Sequence, residues 1–95
     1  MLVDEIRILN VDYKIKTAKL LQEHSKWGSI DFVDQQITLD SQATPQRIQI
    51  TLMHEVIHAI YEQLGFEVEN ENENAIQALS ASLIHVLKAN PKLFT

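Results

Sequence analysis

An uninterrupted helical pattern from residue 45 to residue 64 is the feature that most limits how this chain can fold. Thr44 is a competent N-cap, and Pro45 is favoured at the first position of a helix. Gly65 stands where the pattern stops, and glycine readily takes the left-handed conformation that ends a helix. We therefore predict a helix of about 20 residues. One broad arc of it is apolar, so the helix should be largely buried: Leu52, Val56, Ile57, Ile60, Tyr61 and Leu64.

The second half of this helix contains the pattern H-E-x-x-H, in the residues His54 to His58. Four residues along an α-helix turn by about 400° and rise by about 6 Å, so the two imidazoles lie on one side of the helix. Both can reach one metal ion, and Glu55 is placed to act as general base on a water bound to that ion. A catalytic zinc site has three protein ligands and a water. The motif therefore predicts a metal site, although five such residues also occur by chance in ordinary helices.

A third ligand must come from elsewhere in the chain, among the later acidic and histidine residues: Glu62, Glu67, Glu69, Glu71, Glu73 and His85. A second helix is predicted from Asn72 to Lys88, and Glu73 lies at the edge of its apolar arc, facing the seam with the first helix. His85 lies more than three turns further along, too far to share the site. Glu73 is therefore the predicted third ligand, with Glu71 in reserve. The alternative is that Glu73 only caps the helix, since Asn70 and Glu73 have capping-box spacing.

Several side chains near the predicted site have two interpretations each. Gln77, one turn after Glu73, could support a ligand. Trp27 and Phe32 could line a substrate groove, but core anchors are the commoner role for such aromatic residues. A peptide hydrolase also needs a donor for the developing oxyanion. The available side chains leave this choice open: Tyr13, His24, Tyr61 and His85.

The first forty residues predict a small antiparallel sheet of three or four strands, because short β-branched runs alternate with polar residues. The predicted strands are Val3–Leu9 and Val11–Thr17, joined by a tight turn at Asn10, then a strand entered from Trp27-Gly28, and finally Gln36–Asp40. Such a sheet buries one face and needs a helix to cover it. The predicted fold class is therefore α+β, with the sheet packed on the long H-E-x-x-H helix and a second helix following.

Three connecting stretches are less regular. Residues Ala18–Lys26 predict a helical turn or a loop. The acidic stretch Glu67–Asn74 is typical of a solvated connector. Asn90-Pro91 should end the second helix, after which Leu93 and Phe94 are expected to pack back onto the body of the protein.

Composition narrows the class of protein. Ninety-five residues predict one domain, spanning positions 1–95. The net charge of −5 without a basic run argues against nucleic-acid binding. There is no cysteine, so any metal must be held by histidine and carboxylate side chains. We expect no signal peptide, no membrane partner and a cytoplasmic location.

The motifs together resemble a known group of proteins. The residues that carry the resemblance span most of the chain: the opening strand pair with Tyr13, Gly28–Asp31 before Gln36–Leu39, Thr51–Ile60, Glu73-x-x-Ile76-x-x-Leu79, and Val86–Pro91. The chain resembles small phage- and prophage-encoded zincin-like metallopeptidases, which are minimal relatives of the gluzincins and more distant relatives of the ImmA/IrrE-type and SprT-like metallopeptidases. The resemblance implies a Zn²⁺ cofactor held by His54, His58 and Glu73, with Glu55 as catalytic base and the host cytoplasm as location if the protein is phage-encoded.

The leading prediction is a zinc-dependent peptidase acting on an unidentified peptide or protein. One alternative is a zincin-like binding or regulatory module that keeps the scaffold without turnover. Another is a small structural protein that binds no stoichiometric metal. Because so small a body leaves little room for a deep cleft, specificity could require a partner or a second copy, which leaves homo-oligomer formation open.

Overall fold

The chain folds into a four-stranded sheet covered by a long helix, with two further helices after it. The computed structural model describes residues 3–19 and 27–94, and the count of elements applies to those ranges. The strands are β1 (Glu5–Ile8), β2 (Val11–Ala18), β3 (Gly28–Asp31) and β4 (Gln36–Asp40). The helices are α1 (Pro45–Leu64), α2 (Glu67–Asn70) and α3 (Glu73–Ala89). The predicted α+β class is confirmed, and none of the described helices is both long and apolar enough to cross a bilayer.

The sheet differs from the prediction in one pairing. Its strand order is β1-β2-β4-β3, in which β1–β2 and β3–β4 are antiparallel pairs. The central strands β2 and β4 run parallel, with Ile15 opposite Ile37 and Thr17 opposite Leu39. The prediction of an antiparallel sheet is therefore wrong for this pair, and the sheet is mixed. The pairing places β2 and β4 in the middle, where each has a neighbour on both sides.

The core forms where one face of the sheet meets α1. Alternate residues of the strands point to this face, as the period of two in a β-strand requires. The buried cluster contains five sheet residues and one helix residue: Ile8, Tyr13, Ile15, Ile37, Leu39 and Ala59. Ala59 is fully buried, and its small side chain lets the α1 backbone lie close to the strands. Leu64, predicted on the buried arc, is instead exposed at the end of the helix.

Helix α1 begins and ends at the predicted residues. The Thr44 hydroxyl accepts a hydrogen bond from the Arg47 backbone N–H at 3.2 Å, as an N-cap should. Gly65 has φ of 76° and is the left-handed C-cap. Local chemistry therefore determines both ends of the helix that carries the H-E-x-x-H motif.

The segment after α1 is more ordered than predicted. The acidic connector contains the short helix α2, and the cap of α3 is Asn72, whose side chain accepts from the Ala75 N–H at 3.1 Å. The capping role that spacing indicated for Asn70 is therefore wrong. The predicted packing of the tail is also wrong, because Leu93 and Phe94 are 54% and 82% exposed. In the earlier connector, Ala18 belongs to β2 and residues 20–26 lie outside the described part of the chain.

Gly28 brings the edge strand β3 close to α1. A Cβ atom at this position would lie 2.5 Å from Thr51 Cγ2 and 3.0 Å from the Thr38 carbonyl oxygen. Thr51 is buried and β-branched, so it has little freedom to move aside. The absence of a side chain at Gly28 therefore sets the distance between β3 and the motif helix.

Candidate metal centre

Three side chains converge between α1 and α3: His54, His58 and Glu73. The Nε2 atoms of His54 and His58 each lie 2.9 Å from an oxygen of the Glu73 carboxylate, Oε2 and Oε1 respectively. The two Nε2 atoms are 3.2 Å apart. If one ligand atom is taken from each residue, the three atoms all lie within 4.8 Å of one another, so these residues could hold a metal ion. We call these residues the metal-binding group.

The packing of two helices produces this convergence. His54 contacts Gln77 and His58 contacts Asn70, so α1 and the segment that leads into α3 run in opposite directions. Ile76 lies on the same side of α3 as Glu73, and its burial holds this side of the helix against the rest of the protein. Glu73, in the first turn of α3, consequently faces the second half of α1, as the helical periodicity of its apolar residues predicted.

The Nδ1 atoms of both imidazoles have amide partners. His54 Nδ1 lies 2.8 Å from Gln77 Oε1, and His58 Nδ1 lies 2.6 Å from Asn70 Oδ1. A side-chain amide oxygen accepts hydrogen bonds, so each Nδ1 can donate to its partner and hold its ring with Nε2 turned toward Glu73. In a neutral imidazole held this way the Nε2 lone pair is free for a metal ion, whereas a proton on Nε2 would instead be donated to the Glu73 carboxylate.

The donor atoms lie close enough together to require positive charge among them. Two imidazole nitrogens and a carboxylate, 2.9–3.2 Å apart, would repel one another if all were unprotonated, so either a proton or a metal ion must lie between them. A cation placed among them attracts all three donors. The donor set of two nitrogens and one oxygen, arranged on one side of the ion, therefore fits a bound metal with room for a further ligand.

Glu55 lies beside the group without belonging to it. Glu55 is only 6% exposed. It borders the same cleft as the two histidines and Glu73. A buried carboxylate next to a prospective metal and open to the cleft is placed to exchange protons with a bound molecule.

The cleft has a volume of about 580 Å³ and two different walls. One wall is polar and comes from α1 and α3; the other comes from β3 and its flanks. The second wall is formed mainly by four residues: Trp27, Ser29, Ile30 and Phe32. Phe32 also packs against the core, in agreement with its predicted role. For Trp27 the predicted core role is wrong, because it precedes β3 at the end of the sheet and remains 37% exposed.

The other candidate residues are elsewhere. Glu71 is the C-cap of α2, and neither it nor His85 belongs to the metal-binding group. Tyr13 is buried in the core, and Tyr61 packs on Phe66 with ring centroids 6.1 Å apart. His24 lies outside the described residues. Among the oxyanion candidates that the structure describes, none lines the cleft.

The sequence missed Asn70 as the partner of His58. Asn70 is one of three asparagines that alternate with glutamates in the acidic stretch, so nothing in the sequence distinguishes it, and its role depends on the fold of α2. Gln77 was indicated by its position one turn after Glu73, and its contact with His54 is found. The two amides thus support one histidine each.

Removing the Gln77 amide should weaken metal binding. We expect Gln77→Ala to raise the Kd of the metal by about 10- to 100-fold, because His54 loses the acceptor that fixes its tautomer and ring orientation. Isothermal titration with Zn²⁺ measures the effect, with Asn74→Ala on the same helix as control and Gln77→Glu as a variant that keeps an acceptor. An unchanged Kd in Gln77→Ala would show that the contact does not support the ligand.

Comparison with known proteins yields no relative: no family model, curated protein or solved structure matches this chain. The resemblance to zincin-like metallopeptidases therefore stays a prediction made from its motifs.

Proposed function

We propose that this protein is a zinc-dependent peptidase. The observation that supports the proposal most strongly is the meeting of the H-E-x-x-H histidines with Glu73 in a cleft that Glu55 also borders. A structural metal site is normally closed by four protein ligands, whereas a catalytic one uses three and leaves a position for water or substrate. A three-ligand group on a cleft is typical of the catalytic kind.

Zinc is the proposed metal because of the donor set. Two imidazole nitrogens and a carboxylate form one of the ligand sets that catalytic zinc uses, and no cysteine is present to favour softer ions. In tetrahedral geometry with ligands at about 2.0–2.1 Å, the ligand atoms are about 3.4 Å apart. The present separations of 2.9–3.2 Å would need to widen by only a few tenths of an ångström.

The proposed reaction is hydrolysis of a peptide bond. When bound, zinc would polarise the substrate carbonyl and lower the pKa of a coordinated water to about 7. Glu55 would accept a proton from the attacking water and pass it to the nitrogen of the departing amine. Gln77 and Asn70 would keep both imidazoles oriented while charge develops in the cleft.

The test is metal-dependent cleavage. Purified protein loaded with one equivalent of Zn²⁺ is incubated with an unfolded protein such as casein, and new peptide termini are identified by mass spectrometry. We expect cleavage that 1,10-phenanthroline abolishes and that added Zn²⁺ restores. Stoichiometric zinc without any new termini would contradict the peptidase proposal and favour the binding module.

A further inference from the structure

The cleft that the metal-binding group borders also has an apolar wall, which comes from β3 and its flanks. We propose that this wall, formed by Trp27, Ile30 and Phe32, is a side-chain pocket, and that the substrates are peptides with a bulky apolar residue next to the bond that is cleaved. This inference rests on the proposed function and names its substrate class. All three side chains border the same cleft as the two histidines and Glu55.

Trp27 is the largest residue that lines the cleft. It is 37% exposed, and the Arg47 guanidinium lies 5.2 Å from its ring centroid. The backbone of Arg47 is fixed in the first turn of α1, where its N–H donates to the N-cap Thr44. The cation–π contact therefore favours this position of the indole and leaves part of the residue free to contact a ligand.

Ile30 and Phe32 make the remainder of the wall rigid. Both are partly buried and pack against the core cluster, so the wall exists before a ligand arrives. The cleft volume of about 580 Å³ lies within the range of roughly 300–1,000 Å³ found for small-ligand sites. It suits a few residues of an extended peptide better than a folded protein domain.

The division of the cleft into two walls sets the orientation of a substrate. A ligand whose carbonyl oxygen is directed at the metal-binding group has its neighbouring side chain in the same cleft as the apolar wall. An apolar side chain there displaces water from an apolar surface, which glycine cannot do and which an acidic side chain does only at a cost in desolvation. The preference should therefore be for residues such as phenylalanine and leucine.

Metal-directed ligands of graded size test the pocket without requiring turnover. The zinc-loaded wild type is titrated calorimetrically with the hydroxamates of N-acetyl-phenylalanine, N-acetyl-leucine, N-acetyl-glycine and N-acetyl-aspartate. We expect the phenylalanine and leucine compounds to bind at least about 10-fold more tightly than the glycine compound, as one apolar side chain in an apolar pocket commonly provides. Trp27 is the only tryptophan in the chain, so its fluorescence should change with the apolar compounds and much less with glycine.

Variants separate a pocket from a merely structural ring. In Trp27→Ala the ratio between phenylalanine and glycine compounds should fall below about threefold while the glycine compound binds as before. Trp27→Phe should keep most of the ratio. Val33→Ala is the matched control, because Val33 follows Phe32 in the same turn but is 90% exposed and does not line the cleft.

Each outcome decides the inference. Equal affinities of the wild type for the phenylalanine and glycine compounds would overturn the pocket, and so would an equal loss for both compounds in Trp27→Ala. Failure of the protein to bind zinc or any hydroxamate would overturn it as well. Selective binding without peptide hydrolysis would contradict the peptidase proposal but support the pocket. Hydrolysis without selectivity would support the peptidase proposal but overturn the pocket.

Discussion

Glu55→Gln should lower kcat/KM for peptide cleavage by about 100- to 10,000-fold while zinc remains bound with nearly unchanged affinity. The glutamine side chain has almost the same shape but cannot accept the proton of the attacking water. Because Glu55 lies outside the metal-binding group, its loss should not alter the ligands. Cleavage assays with the peptide identified for the wild type, together with zinc titration of both proteins, measure the two effects.

Glu62→Gln is the matched control for this variant. Glu62 lies two turns further along α1, is exposed and does not border the cleft, so its substitution should leave activity within about twofold. Full activity in Glu55→Gln would contradict the assignment of Glu55 as base. A parallel loss of zinc would instead mean that Glu55 takes part in holding the metal.

Glu73→Ala should raise the Kd for zinc by at least about 100-fold. This increase is larger than the one expected when a ligand only loses a supporting hydrogen bond, as in Gln77→Ala. The substitution removes the only oxygen donor of the metal-binding group and leaves two histidines, which make a weak site. It also removes the link that a bound ion would form between α1 and α3. Elemental analysis of the purified protein and zinc titration give the stoichiometry and the affinity.

The same variant should lose the stabilisation that zinc confers. When the concentration of free zinc is about 100 times its Kd, binding stabilises the folded state by about 2.7 kcal/mol. In a domain of this size, such a stabilisation raises the Tm by several degrees or more. Thermal unfolding with and without zinc should show this shift for the wild type and for Glu71→Ala, the control. Zinc retained in Glu73→Ala but lost in Glu71→Ala would identify Glu71 as the ligand.

The parts of the fold that could be predicted depend on local chemistry. Thr44 and Gly65 mark the ends of α1 by capping and by a left-handed conformation, and neither effect needs a distant partner. The position of Glu73 opposite the histidines follows from the periodicity of two helices packed by their apolar arcs. These features concern residues near each other on one helix or one helix pair.

The parts that could not be predicted depend on contacts between distant segments. Alternation identifies a strand but not its partner or direction, so the parallel pairing of β2 with β4 was missed. Asn70 reaches His58 only because α2 forms. The exposure of Trp27 depends on where β3 lies against α1, an approach that needs glycine at position 28 because a Cβ there would lie 2.5 Å from Thr51 Cγ2. Each depends on tertiary structure.

The two walls of the cleft come from separate pieces of chain. The metal-binding group and Glu55 belong to residues 54–73, whereas the apolar wall belongs to residues 27–32. Within the second piece, Gly28 cannot take a side chain without meeting Thr51 of α1, and Ile30 and Phe32 pack against the core. Trp27 and Ser29 are exposed, so substitutions there can change the space beside the histidines while the helices that hold them stay in place. The shape of the cleft and the positions of its histidines can therefore be varied independently.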